Sequence, residues 1–244
     1  MPRREKPAMI MFDYGHTLVH EDKWDGVKGE RAVLEYAISN KHNLTAEQIA
    51  SFSVNLFNDF RSARRECNIE IHEQQFQRLT YEYLQIEIDL PPQQIEEIFW
   101  DNASLAHAMP HIGETLAYLR DNGIRTAVIS NNSFSGEALQ KRLNRILPDN
   151  RFEFFISSSD YIVRKPAKMI FDLALRKADL DASDVWYCGD SAEFDVAGAT
   201  GAGIYPVWFV SDIDSWYIER GSQAAPQCEH LRITDWLELI DALK

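Results

Sequence analysis

The 244-residue sequence is short of basic residues: 25 lysines and arginines face 38 aspartates and glutamates, a formal net charge of −13. That balance argues against a nucleic-acid surface, which needs cations to neutralise phosphates. Cysteine is scarce as well. Cys67, Cys188 and Cys228 are odd in number and show no metal-ligand spacing, so they read as reduced thiols in a cytoplasmic setting. No apolar run reaches the length of a membrane span, so no membrane partner is expected. The apolar stretch after Arg3-Arg4-Glu5-Lys6 is too short for a secretory leader. Internal repeats and low-complexity tracts are missing too. What is present is a hydrophobic content of 45%, enough for one large domain or a core with a sizeable insertion.

The stretch that organises the rest is Met9-Ile10-Met11-Phe12-Asp13-Tyr14-Gly15-His16-Thr17-Leu18. A continuous apolar run that ends in a turn fits a strand buried on both faces, as in a parallel sheet. Asp13 then stands at the carboxyl end of the strand, where open α/β sheets bind ligands. A carboxylate there suits a nucleophile or a metal ligand; the plainer reading is a turn or helix-capping aspartate.

From about Lys23 to about Met109 the pattern predicts consecutive helices and no strand. Val27, Leu34 and Ile38 form the first stripe, and Phe52, Leu56 and Phe60 the second, opened by a capping box at Thr45 and Gln48. Phe76, Leu79, Tyr83 and Ile86 form the third. Ile95, Phe99 and Asn102, with Ile98 beside them, form the fourth, after Pro91-Pro92. Each stripe is expected to be helix-bundle core. The cluster Arg61, Arg64 and Arg65 either faces an anionic substrate or, more simply, forms a solvated helix face.

Beyond Pro110 the rhythm changes. A helix carrying Leu116 and Leu119 stops at Asn122-Gly123, and strands are expected over 125–129, 152–156, 185–188 and 204–210. Helices alternate with them over 134–147, after Pro166, from Phe194 and within 233–243. Alternation of this kind implies right-handed crossovers and a doubly wound, Rossmann-like parallel sheet. The expected organisation is an α/β core, residues 1–20 and 110–244, with a helical cap inserted over 21–109. An insertion at that point would cover the carboxyl ends of the strands and exclude water.

Four strand ends thus present Asp13, Ser130, Lys165 and Asp190 at one edge. That set suits phosphoryl transfer through a carboxylate. Asp13 attacks, Ser130 donates a hydrogen bond to the phosphoryl oxygens, Lys165 neutralises their charge and Asp190 helps to hold Mg²⁺. Asp195 is placed to orient the ligands from behind.

Here the sequence resembles the haloacid dehalogenase-like hydrolases. Asp13 to Leu18 resembles the first motif of that family, and Val128-Ile129-Ser130-Asn131 the second. Lys165-Pro166 resembles the third, and Trp186-Tyr187-Cys188-Gly189-Asp190-Ser191 with Asp195 the fourth. The resemblance implies a Mg²⁺-dependent phosphatase for a small phosphorylated metabolite. Ser130, Asn131 and Lys165 would bind substrate, Asp13, the Gly15 carbonyl and Asp190 would bind metal, and Asp195 and Ser191 would stand behind them. One departure matters. Phosphatases of the family usually carry an acid/base aspartate two residues after the nucleophile, and here Gly15 holds that position. His16, which can titrate near neutrality, is either a substitute acid or a turn residue. Relatives that cleave carbon–halogen or carbon–phosphorus bonds also lack that aspartate. Phosphonate cleavage uses a cap lysine, for which Lys28 and Lys41 are the nearest candidates. The non-enzymatic alternative is an impaired relative that binds a phosphorylated ligand or a protein.

Overall fold

The computed structural model describes residues 6–213 and 224–244. Arg3, Arg4 and Glu5 of the basic N-terminal run lie outside the described residues, as do residues 214–223 of the expected core.

The chain begins with β1 (Met9–Phe12), in which every residue is buried. Its side chains alternate between two cores. Ile10 and Phe12 join one, and Met9 and Met11 join the other, so the strand is covered on both faces. A turn leads to β2 (Val19–Glu21), then to the insertion: α1 (Gly26–Leu34), β3 (Ala37–Asn40), α2 (Ala46–Asp59), α3 (Arg61–Cys67), α4 (Glu73–Tyr83), β4 (Ile86–Ile88) and α5 (Pro92–Ala103). The chain returns through β5 (Ala106–Ala108), which pairs antiparallel with β2 and closes the neck of the insertion.

The remainder alternates. It runs α6 (Ile112–Asp121), β6 (Arg125–Ser130), α7 (Gly136–Ile146), β7 (Phe152–Ser157), the single turn α8 (Ser158–Tyr161) and α9 (Lys168–Ala178). It ends with β8 (Val185–Gly189), α10 (Gly198–Gly201), β9 (Tyr205–Phe209), β10 (Leu231–Ile233) and α11 (Trp236–Leu243). Six strands form one parallel sheet in the order β10-β9-β8-β1-β6-β7. The chain builds outward from β1 to β6 and β7, then crosses back to β8, β9 and β10. The topological switch therefore lies between β1 and β8, the place where such sheets open a binding crevice.

The strand-free expectation for the insertion is corrected. β3 and β4 pair antiparallel, and β2 and β5 do the same. Strands of three or four residues leave no periodic trace, so the helical pattern ran over them. Ile38 and Ile86, expected on helices, lie on β3 and β4. The apolar stripes also need correction. Leu79 is 46% exposed and Tyr83 70% exposed; α4 buries Phe76 as expected, and with it Glu73, Gln77, Thr80 and Tyr81. Likewise α2 buries Ala46, Ile49 and Ala50, and leaves Phe60 at its end exposed. Asn102 is exposed, whereas Ile95 and Phe99 are core as expected. The capping box at Thr45 and Gln48 is formed. After β8, the expected helix begins as a π-helical segment, Ala192–Ala197, before tightening into α10.

Candidate active site

Asp13 follows the last residue of β1, and its backbone N–H donates to the Cys188 carbonyl of β8 at 2.8 Å. That bond fixes the end of the first strand against the strand carrying Gly189 and Asp190. Lys165, expected at a strand end, instead reaches the same point from the loop between α8 and α9. Its ammonium is 2% exposed and donates to Asp13 Oδ1 at 2.6 Å, Asp195 Oδ1 at 2.6 Å and the Tyr187 hydroxyl at 2.8 Å. Those three acceptors use all the donors an ammonium has. The loop is held by Asn131, whose side-chain oxygen accepts from the Lys165 N–H at 2.7 Å and whose amide donates to the Lys165 carbonyl at 2.9 Å. The Asn131 side chain, expected on substrate, is thus engaged in bracing Lys165.

Asp195 is buried beneath the site. Its second oxygen accepts from the Ser191 N–H at 2.9 Å, and the Ser191 hydroxyl accepts from the Phe194 N–H at 3.1 Å. Ser191 is therefore a cap for the turn that delivers Asp195. Gly189 permits the approach, because a Cβ there would collide with the Asp195 carboxyl.

Carboxylate oxygens of Asp13, Asp190 and Asp195 lie within 4.8 Å of one another, with Lys165 as the cation among them. Three carboxylates against one ammonium leave a net negative hole, the donor set a hard divalent cation prefers. Burial raises Asp13 to about 6 while Lys165 pulls against it, and burial, then Asp195 and Asp13, pushes Asp190 well above the usual carboxylate range. For Lys165, burial works to lower the pKa, but Asp13 and Asp195 outweigh it and the net shift is upward.

These groups open onto one cavity of about 1120 Å³, which Ser130 and Gly15 also line. Trp24, Arg64 and Trp100 of the insertion wall it from the other side. The expected residues Asp13, Gly15, Ser130, Asn131, Lys165, Asp190, Ser191 and Asp195 all border this space.

His16 does not. It is 4% exposed, is not among the residues lining the cavity, and burial followed by the charge of His20 lowers it to about 4. A group of that pKa carries no proton to donate near neutrality, so the geometry withdraws support from the substitute-acid reading. His16 instead adopts φ 52°, the left-handed turn conformation. Among the described residues the positive-φ glycines are Gly123 and Gly203, so Gly15 is not held there by backbone need. Lys28 and Lys41 are exposed and neither lines the cavity.

Some site residues carried only a faint signal. The Tyr187 hydroxyl donates to the Ile129 carbonyl at 3.0 Å and accepts from Lys165. A phenol in the middle of a buried strand needs a polar partner, and that was the available clue. Glu21 accepts from the Tyr14 hydroxyl at 3.0 Å, and Arg142 of α7 donates to that hydroxyl at 2.9 Å from above the Trp100 ring. These contacts tie the residue between Asp13 and Gly15 to β2 of the neck and to α7 of the core.

Three comparisons bear on this site. A family model for haloacid dehalogenase-like hydrolases matches residues 45–209. The chain is 31% identical over 207 residues to the pyrimidine 5'-nucleotidase YjjG of Escherichia coli (strain K12), covering 82% of this chain and 84% of that protein. It is 28% identical over 211 residues to the glyceraldehyde 3-phosphate phosphatase of Pyrococcus abyssi (strain GE5 / Orsay), covering 82% and 80%. Among solved structures, a 2-haloacid dehalogenase from Pseudomonas syringae pv. Tomato DC3000 superposes with a TM-score of 0.61 at 21% identity, covering 96% of this chain and 97% of that one.

Proposed function

The chain belongs to the haloacid dehalogenase-like hydrolases, and from that premise we propose a Mg²⁺-dependent phosphatase that acts on a small phosphorylated metabolite through Asp13. The observation that carries the reading is the buried cluster in which Lys165 lies 2.6 Å from both Asp13 and Asp195, with Asp190 alongside. In this reading an Asp13 oxygen forms a bond to phosphorus as the ester oxygen departs. Lys165 holds Asp13 in line and offsets the phosphoryl charge, and Ser130 donates to a phosphoryl oxygen. Water then attacks phosphorus, releasing phosphate and restoring Asp13. Gly15 offers no side chain to protonate the leaving oxygen, so that proton comes from solvent in the cavity and turnover is slow.

Asp13, the Gly15 carbonyl and Asp190 are the groups that would hold Mg²⁺, and Asp195 braces Lys165 from below. When bound, the ion would shield an incoming phosphate from the charge of the carboxylates. The insertion acts as a cap: Trp24, Arg64 and Trp100 wall the cavity, a shape suited to a small substrate. No helix among the described residues is long and apolar enough to cross a membrane. A reducing, cytoplasmic setting fits Cys67, Cys188 and Cys228, which are all free thiols.

Carbon–halogen cleavage is the second reading, favoured by the fold likeness to a dehalogenase. The carboxylate cluster counts against it, since the dehalogenases that the sequence resembles need no metal. Phosphate release from a panel of small phosphate monoesters tests the choice. Release that needs Mg²⁺ and stops with a chelator is the expected result, with a higher Mg²⁺ requirement in Asp190→Ala. Chloride release from a 2-haloacid without added metal would transfer the assignment to the second reading.

A further inference from the structure

The insertion and the core meet at a second charged cluster, which borders the same cavity through Arg64 and Arg164. Glu70, whose side chain is fully buried, stands between two arginines. Arg64 of α3 donates to Glu70 Oε1 through Nε at 2.8 Å and Nη2 at 2.5 Å. Arg164 approaches the other oxygen from the core loop at 3.5 Å, and the Ser158 hydroxyl donates to that oxygen at 3.1 Å. The backbone supports the arrangement. The Glu70 N–H donates to the Ile162 carbonyl at 2.6 Å, and the Arg164 N–H to the Asn68 carbonyl at 2.9 Å.

Two guanidiniums on one carboxylate leave an excess positive charge. Each guanidinium has five N–H donors, and Glu70 accepts only some of them. Both arginine side chains keep some exposure, 15% and 16%, and both line the cavity. The other charged groups around that space are Asp13, Glu21, Lys165, Asp190, Glu193 and Asp195. Lys165 is spent on Asp13 and Asp195. Among the described lining residues, Arg64 and Arg164 are thus the cations left to meet an anion away from Asp13. Arg64 belongs to the basic cluster read from the sequence as facing either an anionic substrate or, more simply, solvent; only Arg61 and Arg65 of that cluster are exposed.

We propose that Arg64 and Arg164 form a distal anion subsite, and that the natural substrate is a phosphate monoester carrying a second anionic group, carboxylate or phosphate, at its far end. This rests on the phosphatase reading above and adds the substrate class to it. Planar guanidinium forks suit both kinds of oxyanion. Because one arginine comes from the insertion and the other from the core, a ligand bridging them holds the cavity closed around its phosphate end.

The test uses non-hydrolysable phosphonates and the full chain with Mg²⁺, read by calorimetric binding. A series of ω-carboxyalkylphosphonates of increasing length is compared with alkylphosphonates of matched length. At the best length the carboxylated ligand is expected to bind at least about ten-fold tighter, the scale of one charged hydrogen bond. Arg64→Gln and Arg164→Gln should each shrink that ratio to about three-fold or less. Arg64→Lys keeps a cation beside Glu70, so it preserves folding while losing the fork, and it should give an intermediate ratio. Equal binding of the two series at every length overturns the subsite and leaves the phosphatase reading standing. Variants that melt earlier yet keep the full ratio reduce the cluster to a strut between insertion and core. Failure of both series to bind sinks the two readings together.

Discussion

At the sheet edge, Lys165 lies 2.6 Å from two buried carboxylates, Asp13 and Asp195. In the insertion, Glu30 and Glu96 are as deeply buried, at 3% and 0% exposed, yet neutral donors hold them. Tyr81 and Ser53 donate to Glu30, and Gln74 and Ser135 to Glu96. Glu73 lies near both, and its pKa feels each of them. The difference shows in titration. Burial raises Asp13 to about 6 with Lys165 pulling against it, whereas burial, with Glu30 and Glu96 adding to it and Arg64 opposing, carries Glu73 to about 8. The core spends a buried lysine to keep a carboxylate ionised for attack. At Glu30 and Glu73 of the insertion burial outweighs the neighbours that oppose it and favours the protonated form.

Four changes would break or sharpen this contrast. Asp13→Asn removes the attacking oxygen while preserving shape, and turnover should fall by more than about 10⁴-fold in a steady-state assay. Gly15→Asp works in the other direction by adding a carboxyl to the core. It should raise phosphate release by about 10²–10⁴-fold, and the backbone at Gly15 lies outside the left-handed region that would strain a side chain. Circular dichroism would show whether an inactive variant had merely misfolded.

The third change probes the insertion. Burial raises Glu30 to about 7 and Glu73 to about 8, above the value of 4.5 expected when unfolded. Acids raised in the folded state contribute their full stability below the unfolded pKa and lose it as pH rises through the folded one. The groups facing them are Tyr81, Ser53, Glu96, Gln77 and Arg64. Stability should therefore decline between about pH 5 and 8, by up to roughly 1.4 kcal/mol per pH unit for each carboxyl. Glu73→Gln should flatten the decline, as measured by urea unfolding at several pH values. The smallest effect is expected from His16→Asn, which tolerates the left-handed turn without supplying a titratable ring. Turnover should stay within about three-fold; a loss on the scale of acid/base catalysis, 10²-fold or more, would restore His16 to the mechanism.

The centre of the core was legible because its middle strands are covered on both faces and each stops at a polar residue; β10, three residues long and partly exposed, was not expected. β1, β6 and β8 announce themselves as apolar runs that stop at Asp13, Ser130 and Gly189-Asp190. The insertion was less legible. Its strands are three or four residues long, too short for any period to register. Its helices bury small or polar residues such as Ala46, Ala50, Gln77 and Thr80, while Leu79 and Tyr83 face outward, so a hydrophobic stripe pointed to the wrong side. Within the site, Tyr187 and Arg164 escaped notice because their partners come from distant parts of the chain. Ile129 lies 58 positions from Tyr187. Glu70 reaches Arg164 only once α3 and the loop before Lys165 have met.

The central claim is that Asp13 becomes covalently phosphorylated, and acid-quenched peptide mass spectrometry reads it most directly. The wild-type protein is mixed with Mg²⁺ and a turned-over phosphate ester in heavy-oxygen water, quenched within one turnover and digested. The account predicts one phosphoryl group on the peptide carrying Asp13, none in Asp13→Asn, and heavy oxygen in the released phosphate with none in the carboxylate. Heavy oxygen in the Asp13 carboxylate, or turnover with no phosphoryl group on that peptide, would contradict it.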